Sequence, residues 1–375
     1  MKVLMTTDTV GGVWSYSLEL SRALGGRGFA VVLASMGDRP SRSQREAAMK
    51  AGVTLVESGY RVEWMSEPWD DVAAAGSWLL DLAARNEPDV VHLNGYAHGT
   101  REFAAPVLMV AHSDVLSWWS AVKGVEAPPQ WDRYRAAVGA GLAGADLVVA
   151  PTRAMLAALE RHHDFEGATR VIYNGRDSAE FRPAEKLPYA LSVGRLWDEA
   201  KNIAALSRLA PGLRWPVRVA GDARSPDGAE LSLAPLVALG HLAGEELAAQ
   251  LAHASIYCLP ARYEPFGLSV LEAAHAGCAL VLGDIETLRE LWDGAAEFVP
   301  PGDDAALAAA LDALIADPAR RARLADEARG RARRFGVDRM ADAYAGAYRE
   351  LCVRGRRAGR RPAARDAVEE AACAS

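Results

Sequence analysis

Residues 262–277 read Arg-Tyr-Glu-Pro-Phe-Gly-Leu-Ser-Val-Leu-Glu-Ala-Ala-His-Ala-Gly. Pro265 and Gly267 predict a turn that opens a helix running to the end of this stretch. Glu264 then precedes the helix start, and Glu272 lies in the second turn. A carboxylate accepts two hydroxyl hydrogen bonds, which suits the diol of a ribose or hexose. The alternative, a helix cap plus a surface acid, is disfavoured by the spacer between the glutamates.

The stretch lies within an alternation of strand-like and helix-like segments that occupies most of the chain. The first half has strand-like runs at 3–7, 29–34, 53–56, 89–93, 106–111, 146–149 and 169–172. The second half has them at 189–193, 216–220, 236–239, 255–259, 279–282 and 296–299. Strands separated by helices are typical of βαβ units and parallel sheets. We therefore predict an α/β fold of two Rossmann-like, doubly wound domains that face each other across a cleft.

A turn and several prolines after residue 172 predict the linker between the two halves. We place an N-terminal domain at 1–180 and a C-terminal domain at 181–337. An amphipathic helix is predicted at about 338–352, and a disordered, arginine-rich tail at 353–375. Ligands of such sheets bind beyond the carboxyl ends of the strands, so the cleft is the expected site.

Composition excludes several classes of protein. The chain has 375 residues, of which 50% are hydrophobic and 24% charged, unlike a disordered chain or a collagen. The four cysteines form no CxxC pair, so we expect neither a disulfide framework nor a zinc site. There is no signal-like or membrane-spanning apolar run, and we expect a cytoplasmic protein.

Charge is unevenly distributed along the chain. The net charge is −7, yet residues 354–365 hold six arginines and no acid. The acidic remainder argues against a nucleic-acid partner. The arginines could attract the protein to an anionic membrane, as a peripheral contact on its inner face. The alternative is a solubilising tail, and both interpretations stay open.

Two further motifs follow strand-like runs and suit an anionic ligand. Gly11 and Gly12 lie between the first strand and its helix, without the GxGxxG spacing of a dinucleotide site. They let an anion or a sugar approach the backbone, or they simply form a tight turn. Arg195 and Lys201 follow the first strand of the second half. They could contact phosphate oxygens, or they could be surface cations of a solvated loop.

The first half also contains candidate sugar-binding residues. His112 stands at the carboxyl end of a strand-like run and is predicted to face the cleft, although a lone histidine is often structural. Seven of the ten tryptophans precede residue 180. Trp118 and Trp119 could stack on an acceptor sugar whose hydroxyls Asn94 fixes. The alternative is that both tryptophans are packing or gating residues.

Together these residues resemble the GT-B-fold retaining glycosyltransferases of family four. The most specific element is the Glu-x7-Glu pattern from Glu264 to Glu272. Other motifs stand in the family's order at 173–177, 193–202, 239–241, 245–247 and 288–291. The resemblance covers almost the whole chain.

The resemblance implies a nucleotide-sugar donor held mainly by the C-terminal domain. Arg195 and Lys201 would clamp the donor diphosphate and stabilise the leaving group. Glu272 would bind the ribose hydroxyls, and Glu264 would lie by the hydroxyls of the donor sugar. His112 would meet the same sugar near its C6. The catalytic set implied in this way is Glu264, His112, Arg195 and Lys201.

Backbone groups and the C-terminal helix complete this expectation. The amides of three residues would approach the sugar and the phosphate: Phe266, Gly267 and Leu268. Gly11 and Gly12 would lie beside the diphosphate from the N-terminal side. The helix at about 338–352 would cross back onto the N-terminal domain.

The implied activity is transfer of a hexosyl unit from a nucleoside-diphosphate sugar to a hydroxyl acceptor. The acceptor would be a glycan, a lipid-linked glycan or a small metabolite. No cofactor or metal is required, since Asp70-Asp71 and Asp303-Asp304 lack the context of a metal motif. The alternative is a non-catalytic relative that binds nucleotide sugars or glycans.

Overall fold

The computed structural model describes residues 1–225, 228, 230–242 and 244–357. Within them, one seven-stranded sheet has the order β3-β2-β1-β4-β5-β6-β7. Its strands are β1 (Lys2–Asp8), β2 (Ala30–Met36), β3 (Thr54–Glu57), β4 (Val90–Leu93), β5 (Val107–Val110), β6 (Leu147–Ala150) and β7 (Thr169–Val171). Every pairing is parallel, and the strand order reverses between β1 and β4. This reversal is where doubly wound sheets bind ligands.

The second sheet has six strands in the order β10-β9-β8-β11-β12-β13. They are β8 (Leu187–Val193), β9 (Val217–Ala220), β10 (Val237–Ala238), β11 (Ala254–Leu259), β12 (Ala279–Gly283) and β13 (Glu297–Val299). These pairings are parallel as well, and the order reverses between β8 and β11. The predicted fold of two Rossmann-like domains is therefore confirmed.

Helices cover the faces of both sheets. The first sheet is accompanied by α1 (Gly12–Gly25), α2 (Arg42–Lys50), α3 (Trp69–Asn86), α4 (Val115–Lys123), α5 (Asp132–Gly144) and α6 (Arg153–His162). The second is accompanied by α7 (Ile203–Leu209), α8 (Gly244–His253), α9 (Leu268–His275), α10 (Glu286–Trp292), α11 (Asp304–Ala316) and α12 (Pro318–Ala332). Central strands such as β11 are buried throughout, as expected for a sheet covered on both faces.

The last helix, α13 (Val337–Arg357), joins the core of the N-terminal domain. Met340, Tyr344 and Tyr348 are buried there with Tyr16 and Leu20 of α1. The helix extends five residues beyond its predicted end, so the predicted disordered tail does not begin at 353. The rest of that tail, 358–375, lies outside the described residues.

Two helices of the N-terminal domain were not predicted. α4 begins where Asp114 accepts a hydrogen bond from the backbone N–H of Ser117 at 2.8 Å. α2 begins with a capping box in which Ser41 and Gln44 satisfy each other's backbone N–H groups. Both caps are local signals that the alternation of apolar runs does not reveal. In the part of the chain that the structure describes, no helix is long and apolar enough to cross a bilayer.

Candidate active site

Two glycine-capped helices point their amino ends at the cleft. Gly11 caps α1 with a φ of 80°, and Gly267 caps α9 with a φ of 83°. Neither helix has a side-chain cap, so its first backbone N–H groups stay available for an anion. The left-handed φ explains why glycine stands at both positions, since a Cβ would be strained there.

The loops of the two domains meet at these glycines. A Cβ placed on Gly11 would lie 3.7 Å from Cδ of Arg195, and one on Gly12 would lie 3.7 Å from Cδ1 of Leu268. The structure thus brings together four predicted site residues from two domains. They are close enough that one ligand could contact both loops.

Lys201 and Glu264 form an ion pair at the carboxyl ends of β8 and β11. Lys201 Nζ lies 2.6 Å from Glu264 Oε2, and the two side chains are only 11% and 13% exposed. Thr287 Oγ donates to the backbone carbonyl of Glu264 at 2.6 Å and so fixes this loop. The pair therefore links the predicted diphosphate clamp to the residue predicted to meet the donor sugar.

The guanidinium of Arg195 is held by a buried acid that sequence reasoning missed. Its NH2 group lies 3.0 Å from Asp198 Oδ2. Asp198 also accepts a hydrogen bond at 3.1 Å from the indole N–H of Trp118 in the other domain. Burial would raise the pKa of Asp198, but the charges of Arg195 and Lys201 outweigh it and hold that pKa below its usual value. Asp198 thus orients one cation and ties the domains together.

A buried hydrogen-bonded chain runs from α13 to the cleft. The amide nitrogen of Asn94 donates to the carbonyl of Thr6 at 2.7 Å, which orients its Oδ1 as an acceptor. This oxygen lies 2.9 Å from His92 Nε2 and 2.8 Å from His112 Nε2. Both histidines therefore carry their proton on Nε2. His92 Nδ1 is left to accept from the hydroxyl of Tyr348 at 2.6 Å.

His92 and His112, the two histidines of this hydrogen-bonded chain, are neutral at physiological pH. Burial lowers the pKa of His92 to about 4. Burial, with a further contribution from His92, lowers the pKa of His112 to about 3. His112 packs edge-on against Tyr16. Among the described residues, its Nδ1 lone pair accepts no hydrogen bond. Its imidazole can therefore accept a hydroxyl hydrogen bond but cannot act as a cationic acid.

Glu272 contacts a second arginine that sequence reasoning missed. Arg176 lies in the motif at 173–177, which reads Tyr-Asn-Gly-Arg-Asp. Its Nε lies 3.0 Å from Glu272 Oε1. Its NH1 group donates to Glu19 Oε2 of α1 at 2.9 Å. Glu272 is 6% exposed, and burial raises its pKa despite the opposing charge of Arg176. Glu272, the residue predicted to bind the ribose, thus lies beside Arg176, which also contacts the other domain.

Asp8 is an ionisable group at the end of β1 that the sequence motifs did not single out. Its Oδ1 accepts from the backbone N–H of Val10 at 2.8 Å. Burial raises the pKa of Asp8 to about 6, and nearby Glu63 adds to this effect. The hydrogen bond from Val10 and the charge of Arg195 oppose it. A carboxyl with this pKa titrates close to neutrality beside the cleft.

The predicted acceptor residues lie in the N-terminal domain, but their polar groups are engaged. The amide of Asn94 is used by the chain described above, and the indole N–H of Trp118 is used by Asp198. Trp119 packs on the N-terminal core and edge-on against Trp118 at 5.8 Å between ring centroids. The acceptor roles of these residues stay predictions.

A cavity of about 420 Å³ opens beyond the ends of β2 and β3. Its lining residues are Arg39, Glu57, Ser58, Gly59, Tyr60, Asp71 and Trp78. The rings of Tyr60 and Trp78 meet at 5.8 Å between centroids. Thr9 of the β1–α1 loop donates to the carbonyl of Asp38, so the cavity adjoins the glycine loop. The aromatic residues and carboxylates of this cavity were not among the predicted site residues.

The two aspartate pairs considered as metal motifs occupy helix starts. Asp303 caps α11 by accepting from the N–H of Ala306, and Asp70 lies in the first turn of α3. Within the ranges that the structure describes, no group of three His, Cys, Asp or Glu side chains could hold a metal ion.

Comparison with solved structures identifies the fold. Sucrose-phosphate synthase from Thermosynechococcus elongatus superimposes with a TM-score of 0.79 at 22% identity, covering 94% of this chain and 99% of that one. Anabaena HepE in complex with UDP-glucose superimposes with a TM-score of 0.74 at 19% identity, covering 93% and 100%. Both matches extend over the two domains, which supports the same GT-B arrangement.

Curated relatives match part of the chain. Glycogen synthase of Mycobacterium tuberculosis is 38% identical over 180 residues, which is 43% of each chain. D-inositol 3-phosphate glycosyltransferase of Streptomyces avermitilis is 31% identical over 243 residues, which is 55% of this chain and 52% of that one. The chain spans about half the length of the curated relatives it matches.

Two family models account for most of the sequence. Residues 10–180 match Glycosyltransferase Family 4, and residues 175–331 match Glycosyl transferases group 1. Their junction falls in the linker between the two sheets. With the fold and the converging loops, these matches show that the chain belongs to the GT-B glycosyltransferases of the family 4 type.

Proposed function

We propose that this protein transfers a hexosyl unit from a nucleoside-diphosphate sugar to a hydroxyl acceptor with retention of configuration. The observation that carries the proposal is the convergence of Arg195, Lys201 and the two glycine-capped helix starts on one point of the cleft. The names of the curated relatives, which describe glycosyl transfer, support it. So does the UDP-glucose bound by the structural neighbour HepE.

The charges of the site suit departure of a diphosphate. Breaking the sugar–phosphate bond leaves negative charge on the leaving oxygen and oxocarbenium character on the sugar. Arg195 and Lys201 stabilise that oxygen, together with the amides at the starts of α1 and α9. These groups replace the acid of a glycosidase, so the proposed reaction needs no cofactor. The acceptor hydroxyl attacks on the same face that the diphosphate leaves, and its proton passes to the departing phosphate oxygen.

Three residues have distinct roles towards the donor. Glu264 accepts hydroxyl hydrogen bonds from the donor sugar, at a position fixed by its ion pair with Lys201. Glu272 binds the ribose hydroxyls by exchanging part of its contact with Arg176. His112 accepts a hydroxyl hydrogen bond on Nδ1, because its Nε2 proton is committed to Asn94.

The acceptor enters from the N-terminal side. The cavity at Tyr60 and Trp78 offers aromatic faces for a sugar ring, and Asp71 offers a carboxylate for its hydroxyls. The carboxylate of Glu57 also lines the cavity but is bound by Arg45 through both oxygens. Trp118 and Trp119 form the alternative acceptor wall. A glycan, a lipid-linked glycan or a small metabolite fits either surface. For a lipid-linked acceptor, a cytoplasmic protein would make peripheral contact with the inner face of the membrane.

A panel of UDP-, GDP- and ADP-linked sugars tests the proposal by release of nucleoside diphosphate in the presence of candidate acceptors. The anomeric configuration of the product, read by NMR, tests retention. Arg195→Ala and Lys201→Ala should each lower turnover at least a hundredfold. Arg214→Ala, an exposed arginine of the same domain, is the matched control. Near-wild-type release by either clamp variant contradicts the assignment.

Variants of Glu264 and Glu272 distinguish an effect on nucleotide binding from an effect on turnover. Glu264→Ala should lose turnover more than nucleotide affinity, and Glu272→Ala should do the reverse. The second candidate function, a non-catalytic binding protein on the same scaffold, predicts thermal stabilisation by a nucleotide sugar without turnover. Detectable product with any donor excludes it.

A further inference from the structure

A second cavity lies at the carboxyl end of α9, whose amino end faces the cleft. Its volume is about 520 Å³, within the range of roughly 300–1,000 Å³ typical of small-molecule sites. The linker contributes Phe181, Arg182 and Pro183, and α12 and its end contribute Arg329 and Arg333. The cavity is thus walled by the interdomain linker and by the C-terminal domain.

The lining of this cavity is cationic. Three arginines surround it, and none of its lining residues is acidic. Among the described residues, Arg182, Arg329 and Arg333 form no ion pair and donate no side-chain hydrogen bond. They are exposed, unlike the paired arginines at 176 and 195. Three unpaired guanidinium groups around one concave surface attract an anion, although the chain as a whole is acidic.

A buried histidine without a partner completes the wall. His275 lines the cavity and is only 5% exposed. Its Nε2 is closed to solvent and has no hydrogen-bond partner among the described residues. A buried polar nitrogen left unpaired is unfavourable, and such groups in folded proteins call for an explanation. A ligand would supply the missing partner once the side chains that cover this nitrogen move aside.

The positive charges that face His275 favour its neutral form. Burial, together with the positive charges of Arg176 and Arg329, lowers its pKa to about 4, while Asp177 opposes them. An anion beside Arg329 would offset that repulsion and raise the pKa. The ring is therefore a natural reporter of occupancy.

We propose that this cavity binds the phosphate group of a small phosphate monoester, clamped by Arg182, Arg329 and Arg333 and contacted by His275. Guanidinium forks match phosphate oxygens, and the exposed Pro183 provides an apolar surface for the organic part. The site lies outside the cleft and is distinct from the proposed diphosphate clamp. His275 stands three residues after Glu272 on α9.

NMR of the histidine ring protons in the full-length chain tests the site without any assay of transfer. His275→Gln identifies the resonance. Inorganic phosphate and glycerol 3-phosphate are then titrated at constant ionic strength. We expect a saturable shift with both, at least as tight with the monoester, and a rise of at least one unit in the His275 pKa.

The variants make the test specific. The double variant Arg329→Ala and Arg333→Ala should weaken the affinity for both ligands at least tenfold. Arg182→Gln tests the contribution of the linker separately and should weaken the same affinities. Arg323→Ala, an exposed arginine of α12 that does not line the cavity, should leave them unchanged. Absence of saturation, or equal affinity in the cavity variants, overturns the site. Binding of inorganic phosphate alone overturns the monoester. Because Arg195 and Lys201 are intact in every variant, this result is independent of the nucleotide-sugar panel.

Discussion

The hydroxyl of Tyr348 lies 2.6 Å from Nδ1 of His92, and this contact connects the last described helix to the cleft. His92 in turn shares Asn94 Oδ1 with His112. Asn94 therefore fixes the Nε2 proton of both histidines, and Tyr348, 256 positions away from His92 along the chain, donates to the remaining nitrogen of His92. Tyr348 acts as a positioning residue, because it touches neither reacting group.

Tyr348→Phe should leave His92 Nδ1 buried without a donor. We expect a loss of about 1–3 kcal/mol in the free energy of unfolding, and a fall in kcat of up to about tenfold with donor KM nearly unchanged. Tyr344→Phe, one turn earlier, is the matched control, since its hydroxyl makes no hydrogen bond to either histidine. Equal effects of the two variants on kcat would contradict the positioning role.

Lys201 and Glu264 should behave as a coupled pair. Removal of either partner leaves a mostly buried charge unpaired, so Lys201→Ala or Glu264→Ala should each cost about 3 kcal/mol of stability. The double variant should cost clearly less than the sum. Urea unfolding of the four proteins measures the coupling. Strict additivity would show that the ion pair is not formed in solution.

Asp8→Asn tests the raised pKa of this carboxyl. The folded protein binds a proton at Asp8 up to about pH 6, whereas the unfolded chain releases it near the ordinary aspartate pKa of 3.8. Stability is therefore lost as the pH rises through this window. The amide should raise stability at pH 7 by up to about 3 kcal/mol and flatten the profile between these values. An unchanged pH profile of the unfolding free energy would falsify the assignment.

Gly11→Ala separates backbone strain from ligand contact. Both Gly11, with a φ of +80°, and Gly28, with a φ of +77°, occupy left-handed backbone. Gly28→Ala should lose about 1 kcal/mol of stability. Gly11→Ala should lose up to about 3 kcal/mol, because its ψ of −142° lies in a backbone region that is essentially restricted to glycine. Only the Cβ at Gly11 faces Arg195, so only that variant should raise donor KM, by about tenfold. A similar KM in Gly11→Ala and Gly28→Ala would remove the glycine loop from the donor site.

Local sequence patterns predict the fold well because central strands such as β5 and β11 are largely apolar runs. The largest deviation at a strand start is β8, which begins at Leu187 instead of 189, where polar neighbours obscure the run. Arg195, Lys201 and the two glutamates are recognisable because their motif residues stand close together in sequence. The helices α2 and α4 are not recognisable from the sequence, because single capping residues are weak signals.

The partners that tune the site are beyond sequence reasoning for a different reason. Arg176 and Glu19 are 157 positions apart, and the Trp118 and Asp198 side chains that meet are 80 apart. Neither contact follows from periodicity or spacing. Likewise, the raised pKa of Asp8 depends on how tightly the two loops close around it. Such properties arise only when both domains are assembled.

The position of α13 has a consequence for synthesis on the ribosome. Strand β1 emerges first, yet the hydrophobic core around it is completed by Tyr344, Tyr348 and Leu351, which emerge after the whole C-terminal domain. The N-terminal domain thus begins to fold first and becomes fully stable last. A chain interrupted before α13 would carry a finished C-terminal domain beside an N-terminal domain with an open core, exposed to chaperones and proteases.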